Sequence, residues 1–328
     1  MWSDIANIIN RGNSFLITTH FNPDGDAVGS ELALHRFLRF LGKESRIING
    51  NPTPERYSFL DPDGEIESYS AENHQSGAFS CDAIFVLDIS TLERLGPLGE
   101  LVQSSRAKKI CIDHHISNGR IADVNVIETG VSATGELIYD LIMSMRGWLD
   151  EKLALPLYVS ILTDTGGFRF SNTNDRTHII TSHLLSVGVD PRYVHEKIYE
   201  NNSAGQVRLL SRLLESFRIT DDGRIAWVRV SRDVFADTGS TPDELEGMID
   251  HLRAIEGVEI CLLFLEREIG GTKVSLRSKS VFDVNLFASK FGGGGHKHAA
   301  GMVIESDLEE SVERVIAELG VQDGASRA

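Results

Sequence analysis

Histidines and aspartates fall in four short clusters: His20-Phe-Asn-Pro-Asp24-Gly-Asp26, a lone Asp88, Asp113-His114-His115, and Asp164 within Thr163-Asp164-Thr165. Carboxylates gathered in one place repel and raise one another's pKa, and a shared divalent cation removes that cost. Mixed carboxylate and imidazole ligation without a thiolate leans towards Mn²⁺, since zinc often takes sulfur and Mg²⁺ prefers all-oxygen shells. Two such ions about 3.5–4 Å apart can activate a bridging hydroxide and clamp both faces of a phosphoryl transfer. The chemistry to expect is phosphoester hydrolysis. Taken singly, each cluster has an ordinary explanation: Asn-Pro-Asp-Gly-Asp as a turn, His20 as a strand-end histidine, Asp88 as a helix N-cap, Asp164 as a cap before Gly166-Gly167. Only the ordered set argues for a metal.

Such residues need a scaffold that gathers them. The run at 14–19 reads as a strand, followed by a polar turn and an amphipathic helix at 27–41 closed by Gly42. Runs at 83–87 and 109–112 lack in/out alternation and read as buried strands of a parallel sheet. Ligands of an open α/β sheet bind at the carboxyl ends of the strands, so three segments deliver their acids and imidazoles to one crevice. Helices are expected at 134–145, 151–162 (with Pro156 able to bend it), 176–185, 193–199 and 206–217. The texture changes at 218–230, which reads as a hairpin around Asp221-Asp222-Gly223. A helix at 242–255, strands at 259–266 and 273–277, a glycine-rich loop and a helix at 308–319 follow, with 321–328 expected to fray.

At 328 residues the chain exceeds the usual about 100–150 of one domain, which predicts two. With 32 basic against 48 acidic residues, the net charge of -16 argues against binding long duplex nucleic acid. A small anion held by metal and a few local cations fits better. Cys81, Cys111 and Cys261 have no CxxC spacing, so neither a disulfide framework nor a thiolate zinc site is expected. The start of the sequence lacks a signal pattern and no apolar run reaches about 18 residues, which predicts a cytoplasmic protein with no membrane segment.

In this order and at these separations, the four clusters resemble the metal motifs of the DHH phosphoesterase superfamily. Phe291-Gly-Gly-Gly-Gly-His-Lys-His-Ala-Ala-Gly301, preceded by Ser275-Leu-Arg-Ser278, resembles the signature of the DHHA1 substrate-binding domain. The resemblance spans nearly the whole chain, and the two-domain form is most similar to bacterial nanoRNases that also dephosphorylate 3′-phosphoadenosine 5′-phosphate (pAp). It implies an α/β protein: a parallel-sheet DHH catalytic domain at 1–187 with flanking helices, a helical linker or hinge at 188–217, and a smaller α/β DHHA1 domain at 218–328, with a cleft between the domains.

The resemblance also implies roles. His20 and Asp24 would hold one metal, Asp26, His114 and Asp164 a second, and Asp88 would bridge them. His115 would face the scissile phosphate and Asp113 would orient the histidine pair. Arg277, Ser278, Gly293, Gly294, Gly295 and His296 would bind substrate, the glycines through backbone N–H groups. The cofactor would be two Mn²⁺ ions, with Mg²⁺ or Co²⁺ as substitutes. The substrates would be short RNA oligonucleotides and pAp, and a homodimer is plausible by resemblance alone. The alternative is a phosphodiesterase of cyclic di-AMP or pApA. Less favoured are a single-strand DNA exonuclease and a non-catalytic nucleotide sensor.

Overall fold

The computed structural model describes residues 2–74, 80–89, 91–115, 121–145, 147–245 and 247–325, without the side chains of 296 and 321–325. It divides into two compact units, Met1–Asn201 and Asn202–Ala328, so the boundary falls inside the 188–217 segment.

The first unit runs α1 (Trp2–Arg11), β1 (Ser14–Thr18), α2 (Gly25–Phe40), β2 (Glu44–Asn49), β3 (Ile66–Ser68), β4 (Ala83–Leu87), α3 (Gly99–Ser104), β5 (Lys108–Asp113) and β6 (Val124–Ile127). It continues with α4 (Thr134–Ser144), α5 (Glu151–Asp164), α6 (Asp175–Val187) and α7 (Pro191–Tyr199). Its strands form one parallel sheet in the order β3-β2-β1-β4-β5-β6. Alternate residues serve opposite faces: Phe15, Ile17, Phe85 and Leu87 pack under α2, α4 and α5, while Leu16, Ile84 and Val86 pack with Leu95, Leu98 and Val102. Burial on both faces explains why these strands read as unbroken apolar runs. The order reverses between β1 and β4, and that switch point is where a doubly wound sheet opens a crevice.

Close packing of α2 and α4 on α5 depends on small residues. A Cβ on Gly29 would lie 2.3 Å from the Pro156 carbonyl oxygen, and one on Gly135 would lie 2.0 Å from Ser160 Oγ. Pro156 stands inside α5 without an N–H for the Lys152 carbonyl, and Arg36 of α2 donates to that oxygen instead at 3.0 Å. The bond lost to the proline thus becomes a tie between helices.

The second unit holds α8 (Ala204–Ser216), β7 (Arg218–Ile219), β8 (Ile225–Val230), α9 (Asp233–Thr238), α10 (Ile249–Arg253), β9 (Ile260–Glu266), β10 (Thr272–Ser278), α11 (Val284–Ser289), β11 (Gly294–His296), β12 (Ala299–Ile304) and α12 (Leu308–Ala325). Its sheet has the order β11-β12-β10-β9-β8-β7 and is mixed, parallel only between β8 and β9. On β9, Ile260, Leu262 and Phe264 face α11 and α12, and Cys261 and Leu263 face α8 and α10.

Three expectations are corrected. The sequence predicts three strands in the first unit where the described residues form six, because β2 is half polar and β3 and β6 are only three and four residues long. The helix expected at 242–255 is a 3₁₀ turn at Pro242–Leu245 and a separate α10, divided at Gly247, whose φ of +80° is the left-handed region. The segment expected to fray is helical through Ala325, with 326–328 outside the described residues.

Candidate metal centre

The ends of β1, β4 and β5 bring three of the four clusters together, and the end of α5 supplies the fourth. Thr19 Oγ1 donates to the Leu87 carbonyl at 2.9 Å, tying the end of β1 to that of β4 and setting His20 beside Asp88. Asp88 adopts φ +55°, a left-handed backbone uncommon for any residue but glycine, and its N–H still donates to Ile112 O at 3.0 Å. Such strain collects at functional sites, where the surrounding structure holds it in place.

Three overlapping groups of potential ligand atoms result, His20 with Asp24 and Asp88, Asp88 with His114 and His115, and Asp26 with His114 and Asp164, the atoms within each lying within 4.8 Å of one another. His20 Nε2 is 3.6 Å from Asp88 Oδ2 and 4.0 Å from Asp24 Oδ1. His114 Nε2 is 3.6 Å from Asp26 Oδ2, 3.7 Å from Asp88 Oδ1 and 3.5 Å from Asp164 Oδ2. Asp88 therefore stands between His20 and His114 and joins their groups. Ligands each about 2.0–2.2 Å from one ion lie roughly 3–4 Å apart, so the spacing fits a cation between them.

The surrounding bonds leave the ligand atoms facing inward. His20 Nδ1 bonds the Phe21 carbonyl at 3.0 Å, which directs Nε2 to the carboxylates. Asp24 caps α2, its Oδ1 accepting from the N–H groups of Asp26 (3.0 Å) and Ala27 (3.1 Å). Buried Asp26 accepts from Ser160 Oγ (2.5 Å), Ser30 Oγ (3.1 Å) and the N–H groups of Thr134 (2.7 Å) and Gly135 (3.1 Å). Thr134 holds a second acid, its Oγ1 donating to Asp88 Oδ1 at 3.0 Å. Asn172 donates to the Asp164 carbonyl at 3.1 Å and lies 3.4 Å from its carboxylate. His115 Nδ1 bonds Asp113 Oδ1 at 2.7 Å, so the buried Asp113 fixes the ring.

The electrostatics show what the cluster lacks. Burial, with the charges of Asp88 and Asp24, pushes Asp26 up to about 7. Burial and the charges of Asp26, Asp24 and Asp88 push Asp164 well above the usual carboxylate range. Against the penalty of burial, the imidazoles of His20, His115 and His114 hold Asp88 far below that range. Burial opposes charge on His20 too, but Asp88 and Asp24 raise it to about 9. Buried Asp26 and Asp88, with Asp164 beside them, resist ionising together unless cations enter, and the donor set suits divalent ones.

Thr134, Ser160, Ser30, Gly135 and Asn172 escaped the sequence reading because a lone hydroxyl, amide or glycine carries no charge pattern. Ser30, one helical turn from Asp26, was the nearest thing to a signal.

In the second unit, Arg277 and Ser278 end β10 opposite Ala299 and Ile260 respectively. Ser278 is buried, its hydroxyl donating to Phe282 O at 2.6 Å and meeting His298 Nδ1 at 2.9 Å. The N–H of Gly293 donates to Ala288 O (2.9 Å) and that of Gly295 to Asn285 Oδ1 (2.9 Å), so both are engaged within the unit. A Cβ would fall 2.3 Å from Gly301 O at Gly293 and 2.4 Å from Ala299 O at Gly295, whereas one on Gly294 would meet only Asn285 Oδ1, at an ordinary contact distance of 3.7 Å. The His296 backbone belongs to β11, and its side chain lies outside the described residues.

A doubly wound sheet with acids and imidazoles crowded at its switch point is the frame of a metal-assisted hydrolase. The DHH family, N-terminal domain, matches residues 14–161, and the DHHA1 domain matches 223–320. The chain belongs to the DHH/DHHA1 phosphoesterases, hydrolases of phosphodiester and phosphate ester bonds. Over 301 residues it is 32% identical to the bifunctional oligoribonuclease and PAP phosphatase NrnA of Thermus thermophilus, covering 92% of this chain and 87% of that protein. The NrnA of Bacillus subtilis is 28% identical over 97% of each. An exopolyphosphatase-related protein from Bacteroides fragilis superposes with a TM-score of 0.91 at 28% identity, covering 97% of this chain and 94% of that one. Among the described residues no helix is long and apolar enough to cross a membrane.

Proposed function

We propose that this chain degrades short oligoribonucleotides to mononucleotides and converts pAp to AMP, using two Mn²⁺ ions. The observation that carries the reading is the set of overlapping groups of potential ligands joined through Asp88 and His114, in a chain similar over most of its length to proteins named for both activities. His20 and Asp24 would hold one cation, Asp26, His114 and Asp164 the other, and Asp88 would serve both. When bound, the cations activate water and offset charge on the phosphoryl oxygens.

The chain's own residues do the rest. Asp113 fixes the His115 ring through Nδ1 and, against burial, favours its imidazolium form, whose Nε2–H donates to the phosphate or to the leaving oxygen. Thr134 keeps Asp26 and Asp88 in register, and Asn172 steadies Asp164. In the second unit, Arg277 and His296 supply cationic donors to the substrate. Gly294 gives it close backbone approach, on a hairpin built by Ser278, Gly293 and Gly295. The net charge of -16 favours fragments a few nucleotides long over duplexes.

A time course with Mn²⁺ or EDTA on pAp, a labelled RNA dinucleotide, a 5-mer and cyclic di-AMP tests the reading. Rapid metal-dependent loss of pAp and dinucleotide, with cyclic di-AMP spared, is the expected result. Preferential opening of cyclic di-AMP would assign the chain to degradation of that messenger, and no turnover of any substrate would overturn the proposal.

A further inference from the structure

Phe21 directly follows His20 and is 44% exposed. Its backbone is held on both sides. The Phe21 N–H donates to Arg94 O at 2.6 Å, and its carbonyl takes the bond from His20 Nδ1. The next residue, Asn22, has φ +58° and is locked to Asn51: its N–H donates to Asn51 Oδ1 at 2.8 Å, and Asn51 Nδ2 donates back to its side chain at 2.9 Å.

The ring occupies a slot that glycines keep open. A Cβ on Gly50 or on Gly96 would come within 3.0 Å of Phe21 Cδ2. Gly96 has φ +58° and ψ -129°, a conformation essentially confined to glycine. Segments following β1, β2 and β4 thus converge to hold one exposed aromatic ring beside the metal cluster. Arg94, exposed in the same loop, is near enough for its charge to act on His20. An apolar ring at a loop surface gains nothing from water, yet its backbone is braced as firmly as a ligand's.

We infer that Phe21 is a stacking platform for a nucleobase of the substrate, giving the catalytic unit a base-binding subsite at the His20 end of the metal cluster. This deepens the nucleotide reading above and rests on it. Aromatic platforms suit an enzyme that must accept every base, because each base has a π face and stacking reads no hydrogen-bond pattern.

The test compares AMP with ribose 5-phosphate, which lacks the base, by calorimetry in the presence of Mn²⁺ for the wild type, Phe21→Ala and Phe21→Trp. The wild type should prefer AMP, and Phe21→Ala should lose about 5- to 150-fold of that preference, the range expected for one stacked base. Phe21→Trp should keep it, and affinity for ribose 5-phosphate should be the same in all three. A wild type indifferent to the base, or a Phe21→Ala variant with undiminished preference, overturns the inference. AMP binding does not depend on turnover. Failure of pAp hydrolysis together with a Phe21-dependent preference would therefore refute the hydrolytic reading and leave the base subsite standing.

Discussion

Helix α2 carries charge at both ends, and the two ends treat it differently. Towards its C-terminus, Arg36 donates to Glu65 Oε2 through two nitrogens (2.8 and 2.5 Å), to Leu60 O (2.6 Å) and to Lys152 O (3.0 Å). That charge is answered entirely by the protein. At the N-terminus, Asp24 and Asp26 face Asp88 and Asp164, and burial with mutual repulsion pushes Asp26 and Asp164 towards their neutral forms. One end is finished by folding, whereas the other is completed only by something positive that the chain does not contain.

The largest effect should come from Asp88, which belongs to the His20 group and lies beside His114 of the other. Asp88→Ala is expected to reduce turnover of an RNA dinucleotide by about 10²- to 10³-fold, the scale on which removal of a preorganised electrostatic group acts. Its circular dichroism spectrum should be unchanged. Comparable turnover in this variant would dissolve the contrast between the two ends.

Arg36→Ala should act in the opposite register. It leaves Glu65 and two carbonyls without their donor, and urea unfolding should show a loss of about 2–4 kcal/mol, since the pair is partly exposed. Mn²⁺ affinity should not move. Thr134→Val is the converse, expected to weaken Mn²⁺ binding about 10- to 100-fold with little loss of stability, because outer-shell partners tune ligand geometry. Thr134→Ser, which keeps the hydroxyl, should restore the affinity.

A smaller contrast lies in pH. Asp26 and Asp164 are raised in the fold, so in the metal-free protein their contribution is most favourable below the unfolded aspartate pKa and is lost as pH rises, for Asp26 through about 7. His20 is raised to about 9, so its contribution is complete below the unfolded value of 6.5 and is lost as pH rises through about 9. These signs agree. Metal-free stability should therefore fall between about pH 4 and 9, Asp26 acting over the lower part and His20 over the upper, at up to about 1.4 kcal/mol per pH unit for each proton of difference. Metal binding needs the deprotonated ligands, so the thermal shift produced by Mn²⁺ should grow over the same interval. A shift independent of pH would separate the cation site from these acids.

The legibility of the chain follows the same division. Buried strands announce themselves by composition, and an acid placed directly after one is conspicuous, so His20, Asp88 and the Asp113-His114-His115 cluster could be read from the sequence. The half-polar β2 and the short β3 and β6 could not, because pairing with neighbours and not their own composition makes them strands. The hydroxyls of Thr134, Ser30 and Ser160 were equally silent, for their meaning lies in the carboxylate they face. The glycine-rich segment was legible as a feature, but not the packing of Gly293 and Gly295 against Gly301 and Ala299, which only the hairpin register reveals.

The central claim is that the carboxyl end of the first sheet is built for two divalent cations sharing Asp88. Counting Mn²⁺ per chain by calorimetry and elemental analysis after equilibrium dialysis, at about pH 8, tests it most directly. The account predicts two ions per wild-type chain and weakened binding of both in Asp88→Ala. A single ion in the wild type, or two ions bound with unchanged affinity after removal of Asp88, would contradict it.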